Sequence, residues 1–185
     1  MEVLNNNNFY HIYNRGNNKQ NIFLEPDNYF YFLTLLKKHI LPIAKIYSYC
    51  LLKNHFHLLI QIKENSENPS QKFSNFFNAY TKAFNKKYDR VGSLFQRPFR
   101  RIRIDNEDYL KSLIVYIHLN PESHNISEDF KKYSYSSYQT MFSSKVTNVE
   151  RIEVVKLFND IENFKFVHNQ KKFINDERFN ELALE

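Results

Sequence analysis

The stretch from 53 to 62 reads Lys-Asn-His-Phe-His-Leu-Leu-Ile-Gln-Ile, and its apolar side chains recur at every second position. Successive side chains of a strand point to opposite faces, so positions 56, 58, 60 and 62 would form one apolar face. The other face carries His55 and His57 side by side. Imidazole is a common ligand of divalent metals, although such a pair is also compatible with ordinary hydrogen bonding at a sheet surface. The stretch predicts a strand with one apolar face and one candidate metal-binding face.

Composition narrows the class of protein. The chain has 185 residues, enough for one domain with a hydrophobic core, and a net charge of +6 that suits a polyanionic partner without requiring one. Only two glycines and one cysteine are present, which excludes a glycine-rich phosphate loop, an intrachain disulfide and a multi-cysteine zinc site. The sequence shows no signal peptide and no apolar run of the ~20 residues that span a bilayer. We therefore expect a cytoplasmic protein with no membrane partner.

The order of periodic segments predicts the fold. Alternating segments at 9–13, 44–52, 55–62 and just after Pro98 predict four strands, and helical spacing predicts helices from about Glu25 to Pro42 and over 71–88. Strand, helix, strand, strand, helix, strand is the ferredoxin-like βαββαβ pattern, an α+β class with an antiparallel sheet and helices on one face. The two histidines would then lie on the opposite, open face of that sheet.

Helices are predicted to continue after the sheet. Asp105 is the predicted N-cap of a third helix that runs to about Asn120, because Pro121 disfavours helical geometry at the preceding residue. Two further amphipathic segments, 149–158 and 163–173, predict a helical tail.

The third predicted helix carries Tyr116 and Asn120, which share one face because they are four residues apart. Tyrosine in an apolar run is most often a core residue, and asparagine before proline most often ends a helix. Two imidazoles and one amide oxygen could nevertheless hold a divalent cation that polarises a phosphate. A nearby phenol, whose free pKa is about 10, could then attack phosphorus with help from that charge. His11 and His118 are predicted to be structural.

Four arginines lie between 97 and 103, and Arg15 lies in the turn after the first strand. Charge on an edge strand also serves to discourage aggregation, so the run is compatible with a solvated edge. Guanidinium groups, however, match phosphate oxygens better than ammonium groups do, which favours phosphate contact. The candidate phosphate-binding side chains of this run are Arg97, Arg100, Arg101 and Arg103.

Four segments together resemble the single-tyrosine HUH transposases, and most closely their REP-associated tyrosine transposase branch. In order they are Tyr10-His11-Ile12-Tyr13-Asn14-Arg15-Gly16-Asn17, Tyr49-Cys50-Leu51-Leu52-Lys53-Asn54-His55-Phe56-His57-Leu58-Leu59, Leu94-Phe95-Gln96-Arg97-Pro98-Phe99 and Tyr116-Ile117-His118-Leu119-Asn120-Pro121. The resemblance covers about residues 8–140. It implies a transposase domain over 1–145. The remaining residues, 146–185, match no motif of the family, and their amphipathic segments predict a helical C-terminal extension. One departure is Lys53, where relatives often have proline; it could change local rigidity or add a phosphate contact.

The resemblance also implies an activity and its residues. Tyr116 would be the nucleophile that cleaves and transfers single-stranded DNA at hairpins through a 5′-phosphotyrosine. The side chains of His55, His57 and Asn120 would bind Mg²⁺ or Mn²⁺, and the arginines together with Lys53 would contact DNA. The branch suggests a monomer, in a nucleoid-associated bacterial location. A module that binds structured single-stranded nucleic acid without cutting it stays open as an alternative.

Overall fold

Four strands and five α-helices follow one another in the computed structural model, which describes residues 2–170. The strands are β1 (Phe9–Arg15), β2 (Ala44–Leu51), β3 (His55–Ile62) and β4 (Arg100–Ile104). The helices are α1 (Pro26–His39), α2 (Pro69–Lys87), α3 (Glu107–Ser123), α4 (Arg151–Leu157) and α5 (Ile161–Asn169). The predicted α+β class and the βαββαβ order are confirmed.

The histidine strand lies inside the sheet. The strand order is β2-β3-β1-β4, and all neighbouring strands are antiparallel. In the β1–β3 register, Tyr13 lies opposite His57 and Arg15 lies opposite His55. Because β3 is hydrogen-bonded on both sides, its backbone holds both histidines in a fixed place at one end of the sheet.

Helices α1 and α2 cover the predicted apolar face of β3. The ring of Phe32 on α1 lies 5.1 Å from that of Phe56 on β3 and 4.8 Å from that of Phe76 on α2, measured between ring centroids. Phe56, Leu58 and Ile60 are completely buried. Burial of aromatic area on this scale is the main stabilising contribution to such a layer, so this face serves as core.

The third helix differs from its prediction at both ends. Its N-cap is Asn106 rather than Asp105, because the Asn106 side-chain oxygen accepts a hydrogen bond of 2.7 Å from the Tyr109 amide. The helix also continues through Pro121 to Ser123. Proline lies here in the last turn, where its fixed φ suits a helix, and its carbonyl accepts two hydrogen bonds from the chain beyond the helix. Asn120 is therefore inside the helix.

The prediction of an open histidine face is wrong, because α3 packs across that face against β2 and β3. His55 is 3% exposed and His57 is fully buried. The physical reason lies in α3 itself, where every residue from 112 to 121 is buried. A helix with so little polar surface must be covered on more than one side, and α3 lies between the sheet and α5.

The tail packs on the body of the fold. Helix α4 lies within the first predicted segment, whereas α5 begins two residues before the second one. The part of the second segment beyond 170 lies outside the described residues. Lys45 and Tyr47 on β2 both hydrogen-bond the carboxylate of Glu153 on α4. The proposed boundary between 145 and 146 stays a prediction. No helix within residues 2–170 has both the length and the apolar character needed to cross a bilayer.

Candidate active site

Tyr116 lies beside the histidine pair of its own chain. The ring centroids of Tyr116 and His57 are 5.7 Å apart, with the rings nearly perpendicular, and those of His55 and His57 are 5.2 Å apart. Asn120 follows one turn later on α3, and its side-chain amide nitrogen donates to the Tyr116 carbonyl oxygen at 2.9 Å. The helix that closes the sheet therefore brings the predicted nucleophile to the predicted ligands without a second chain.

Hydrogen bonds at Nδ1 orient both imidazole rings. The Nδ1 atom of His55 lies 2.7 Å from the side-chain oxygen of Asn54, which can only accept, so this nitrogen carries the proton. The Nδ1 atom of His57 lies 2.9 Å from Nε2 of His11. The Nε2 atoms of His55 and His57 are buried and have no hydrogen-bond partner among the described residues. His55 therefore keeps a free lone pair at Nε2.

Asn120 presents a third buried polar atom without a partner in the described part of the chain. Its Oδ1 atom also has no hydrogen-bond partner among residues 2–170. An unsatisfied buried polar atom costs about 1–3 kcal/mol, so three of them close to one tyrosine demand an explanation. Two imidazole nitrogens and an amide oxygen are suitable ligands for a divalent ion, and bonded Nδ1 atoms are the usual support for metal-binding histidines. The donor set fits a metal.

The fit depends on Asn120. Within the described part of the chain, no three His, Cys, Asp or Glu side chains are grouped so as to hold a metal ion. A site built from His55 and His57 therefore needs the amide oxygen as its third protein ligand. Such a set leaves positions for water or phosphate oxygens, which catalytic metals require.

Burial keeps both histidines neutral. Desolvation, with smaller contributions from His124 and Arg15, lowers the pKa of His55 to about 3. Desolvation also lowers the pKa of His57 well below its ordinary value, with smaller contributions from His11, His55 and His124. A metal binds only the neutral imidazole, so this environment favours ligation at physiological pH.

The site is closed to solvent. The exposed fraction of Tyr116 is 3%, similar to that of His55. His124, at the end of α3, is half-buried, and its ring centroid lies 4.8 Å from that of His55. Sequence reasoning did not single out His124, although its spacing of four residues from Asn120 was the available signal. The segment that carries His124 therefore forms part of the outer cover of the site.

Arg15 and Lys53 lie at the histidine end of the sheet. Arg15 is half-buried opposite His55, and Lys53 is exposed in the turn before it. The Lys53 carbonyl accepts hydrogen bonds from the amides of Ile22 and Phe23, at 2.8 and 3.0 Å, which joins this turn to the loop before α1. Glycine is required at 16, because an ideal Cβ there would overlap the Gln20 carbonyl oxygen. Both basic residues are thus held near the site by backbone structure.

The arginine run is divided between the two faces of the edge strand β4. Arg97, Arg100 and Arg103 are exposed. Arg101 is half-buried: it donates to the Ser70 hydroxyl at 2.7 Å and its guanidinium lies 4.4 Å from the centre of the Phe99 ring. Strand alternation places Arg101 and Arg103 toward α2 and Arg100 toward the histidine face. The four arginines therefore do not form one surface.

A cavity of about 470 Å³ lies between α2 and the segment before β4. Three buried rings, Phe77, Phe95 and Phe99, contribute to its lining, together with Arg97 and Arg101. The amide of Gln96 in this segment donates to the Arg15 carbonyl at 2.9 Å, so the cavity lies at the same end of the sheet as the histidines. Aromatic floors with basic rims are suited to unstacked nucleotides.

Comparison with known proteins agrees with this architecture. A candidate REP-associated tyrosine transposase of Haemophilus influenzae is 32% identical over 99 residues, which cover 48% of this chain and 56% of that protein. A solved structure of a REP-associated tyrosine transposase bound to a REP hairpin superposes with a TM-score of 0.64 over 82% of this chain and 94% of that one, at 13% identity. The predicted resemblance to REP-associated tyrosine transposases is confirmed.

The sequence similarity and the structural similarity support different conclusions. The alignment to the Haemophilus transposase spans little more than half of that protein, and the structural likeness at 13% identity concerns the fold. No family model matches the chain. The roles of individual residues therefore depend on the geometry of Tyr116, His55, His57 and Asn120 itself.

Proposed function

We propose that this chain cleaves single-stranded DNA at hairpins and transfers the cut strand through a covalent bond to Tyr116. The observation that carries the proposal is the set of three buried polar atoms, on His55, His57 and Asn120, that have no hydrogen-bond partner among the described residues. His57 faces the Tyr116 ring, and Asn120 hydrogen-bonds the Tyr116 carbonyl oxygen. Most buried polar side-chain atoms in proteins have a hydrogen-bond partner, so three without one around a single tyrosine support a bound ligand there. The resemblance to REP-associated tyrosine transposases supports the same activity.

The chemistry divides between a metal and the protein. Held by His55, His57 and Asn120, Mg²⁺ or Mn²⁺ would supply Lewis-acid polarisation of the scissile phosphate. The Tyr116 oxygen bonds to phosphorus as its phenolic proton leaves, the P–O3′ bond breaks, and the released 3′ oxygen takes up a proton. The product is a 5′-phosphotyrosine and a free 3′-hydroxyl. Attack by a 3′-hydroxyl of another strand reverses the step, so rejoining needs no ATP.

The closed geometry adds a requirement. Because Tyr116, His55 and His57 are almost fully buried, a phosphate can reach them only if part of the cover moves. The end of α3 around His124 is half-buried and lies against the ring of His55. We therefore expect DNA binding to displace this segment, so that amide hydrogen exchange in the region of His124 increases when hairpin DNA is added.

The direct test is a covalent-adduct assay with the full chain. The substrate is a labelled single strand with an imperfect hairpin from the DNA that flanks the gene; the control is an unstructured strand of the same length. We expect a slower-migrating protein–DNA species in denaturing gels with Mn²⁺ or Mg²⁺, and its absence with chelator or the unstructured strand. Metal-independent attachment, or none to any hairpin, would contradict the proposal.

The exposed arginines are expected to contact phosphates. Replacing Arg97, Arg100 and Arg103 together by glutamine should weaken hairpin binding and lower the slope of log K against log salt by about two, because each single-strand phosphate contact contributes about 0.7. Fluorescence anisotropy at several salt concentrations measures this slope. The matched control replaces the exposed Lys37, Lys38 and Lys131, an equal change of charge. An equal slope in both triple variants would remove the arginines from the interface.

A second candidate function is binding of structured single-stranded nucleic acid without cleavage. The burial of Tyr116 favours it, because a binding module needs no accessible nucleophile. The aromatic and basic cavity beside β4 would be sufficient for that function. Retained hairpin affinity without any metal-dependent adduct would select this alternative.

Assembly and location are part of the proposal. Since Tyr116 meets the histidines of its own chain, one chain contains every proposed site residue. We propose that the protein acts as a monomer, rather than as a dimer that exchanges α3, and that it works at bacterial DNA in the nucleoid.

A further inference from the structure

We infer that His11 is a positioning residue for the proposed site: it accepts the Nδ1 proton of His57 and thereby leaves the Nε2 lone pair of His57 free for a metal. The inference rests on the proposed function. It assigns to the β1 histidine, predicted from sequence to be structural, a defined effect on one metal ligand.

The contact is short and fully buried. Nε2 of His11 lies 2.9 Å from Nδ1 of His57, and both residues are completely inaccessible to solvent. The pair crosses the central strands β1 and β3 diagonally, because the residue directly opposite His57 is Tyr13. Two hydrogen-bonded strands at the centre of a sheet leave little freedom for either ring to move away.

Only one arrangement of the shared proton allows ligation. If His11 donated from Nε2, the proton of neutral His57 would lie on its own Nε2, and that atom could not bind a metal. If His57 donates from Nδ1, its Nε2 keeps a lone pair and His11 carries its proton on Nδ1. The Nδ1 atom of His11 has no hydrogen-bond partner in the described part of the chain in either case. Each arrangement leaves one buried N–H without a partner among the described residues, on Nδ1 of His11 in one and on Nε2 of His57 in the other, and only the first leaves Nε2 of His57 free for a metal.

Neighbouring rings hold His11 in place. The rings of His11, Tyr13 and His57 form a triangle, with centroid distances of 4.7 Å from His11 to Tyr13, 5.1 Å from His11 to His57 and 5.9 Å from Tyr13 to His57, and the ring planes are nearly parallel. These contacts fix the plane in which the Nε2 lone pair of His11 lies. The side-chain oxygen of Asn54 orients His55 in the same way, because it accepts the Nδ1 proton of His55. Unlike an imidazole nitrogen, this oxygen cannot change from acceptor to donor. The two ligands are thus supported in different ways, and only the support of His57 is reversible.

The first measurement needs no metal and no DNA. In full-length protein labelled with ¹⁵N-histidine and treated with chelator, long-range ¹H–¹⁵N spectra report which nitrogen of each ring carries the proton. His57→Gln identifies the His57 signals by their loss. We expect His57 protonated at Nδ1 with a lone pair at Nε2. A proton found on Nε2 would overturn the inference, whatever the outcome of any metal or DNA experiment.

The second measurement compares variants of His11. His11→Leu removes the acceptor, and His11→Gln places an amide oxygen near the position of Nε2. We expect His11→Leu to shift His57 toward the Nε2-protonated form and to weaken Mn²⁺ binding, measured by electron paramagnetic resonance of free Mn²⁺, by about tenfold to a hundredfold. His11→Gln should recover most of both. Equal Mn²⁺ affinity in the wild type and His11→Leu would overturn the inference.

A matched control comes from a second buried histidine pair. Nδ1 of His118 lies 2.9 Å from Nε2 of His168, which places an equivalent contact between α3 and α5. His168→Leu should leave the His57 tautomer and the Mn²⁺ affinity unchanged, and an equal loss there would overturn the specific role of His11. If His11→Leu does not fold, the wild-type tautomer and His11→Gln decide the question. A wild type that binds no Mn²⁺ but protonates His57 at Nδ1 would overturn the proposed function and retain the His11–His57 assignment.

Discussion

Tyr116→Phe should abolish covalent attachment of the protein to hairpin DNA, with a loss of more than about a thousandfold, while leaving hairpin affinity nearly unchanged. The substitution removes one oxygen and no carbon, so the ring can still pack against His57 in the buried site. Because Tyr116 is the proposed nucleophile, its hydroxyl oxygen is the atom that would bond to phosphorus, and phenylalanine has no such atom. Denaturing gel electrophoresis of the labelled adduct measures the loss, and anisotropy measures the affinity.

Tyr138→Phe is the matched control for this experiment. Tyr138 is also buried but lies after α3. Its ring centroid is 5.6 Å from that of His118, which is on α3 like Tyr116. Removing its hydroxyl should leave adduct formation at the wild-type level. Adduct formation by Tyr116→Phe at wild-type rates would assign the nucleophile to another residue. A loss of adduct in both variants would attribute the effect to packing around α3.

Asn120→Leu should separate metal binding from folding. In the metal-free protein the change removes a buried acceptor without a partner among the described residues, which stabilises, and the hydrogen bond from the Asn120 amide nitrogen to the Tyr116 carbonyl, which destabilises. These effects oppose each other, so the free energy of unfolding should change by no more than about 1 kcal/mol. The wild type should gain about 2.7 kcal/mol of stability from Mn²⁺ at a concentration one hundred times its Kd. The variant should lose nearly all of that gain, because only two imidazoles remain. Denaturant-induced unfolding with and without Mn²⁺ measures both quantities.

The control for Asn120→Leu is Asn75→Leu on the exposed side of α2. It should keep the full Mn²⁺-dependent gain in stability. If Asn120→Leu retained that gain, the amide oxygen would not be a ligand, and the three buried polar atoms without partners among the described residues would need another explanation. If Asn120→Leu were strongly destabilised without metal, Asn120 would be a structural residue through its bond to the Tyr116 carbonyl.

The local sequence pattern was sufficient to predict the strands and helices, but not which of their faces pack against each other. The alternation over 55–62 predicted β3 and its apolar face correctly, because period-two alternation reports burial on one side. The burial of the other face was not predictable from β3, since it depends on where α3 packs. The signal was in α3, whose side chains from 112 to 121 offer almost no polar face. A helix with almost no polar face has to be buried on several sides, so the sheet face against which it packs cannot be exposed to solvent.

Contacts between segments that are distant in the sequence also could not be predicted. The bond between His11 and His57 depends on the register of β1 against β3, and sequence spacing does not specify that register. The same limit explains the arginine run, where alternation turns Arg100 away from Arg101 and the Ser70 hydroxyl ties Arg101 to α2. By contrast, Tyr116 and Asn120 share one helix, so their relation followed from their spacing alone.

The most direct test of the central claim is to locate the covalent bond. The wild-type chain is incubated with hairpin DNA and Mn²⁺, the adduct is digested with protease and nuclease, and the modified peptide is sequenced by mass spectrometry. We predict a nucleotide attached through a 5′-phosphate to Tyr116 and to no other residue. Attachment to a different tyrosine, or a hairpin complex that never yields a modified peptide, would contradict a nucleophile placed beside His55 and His57.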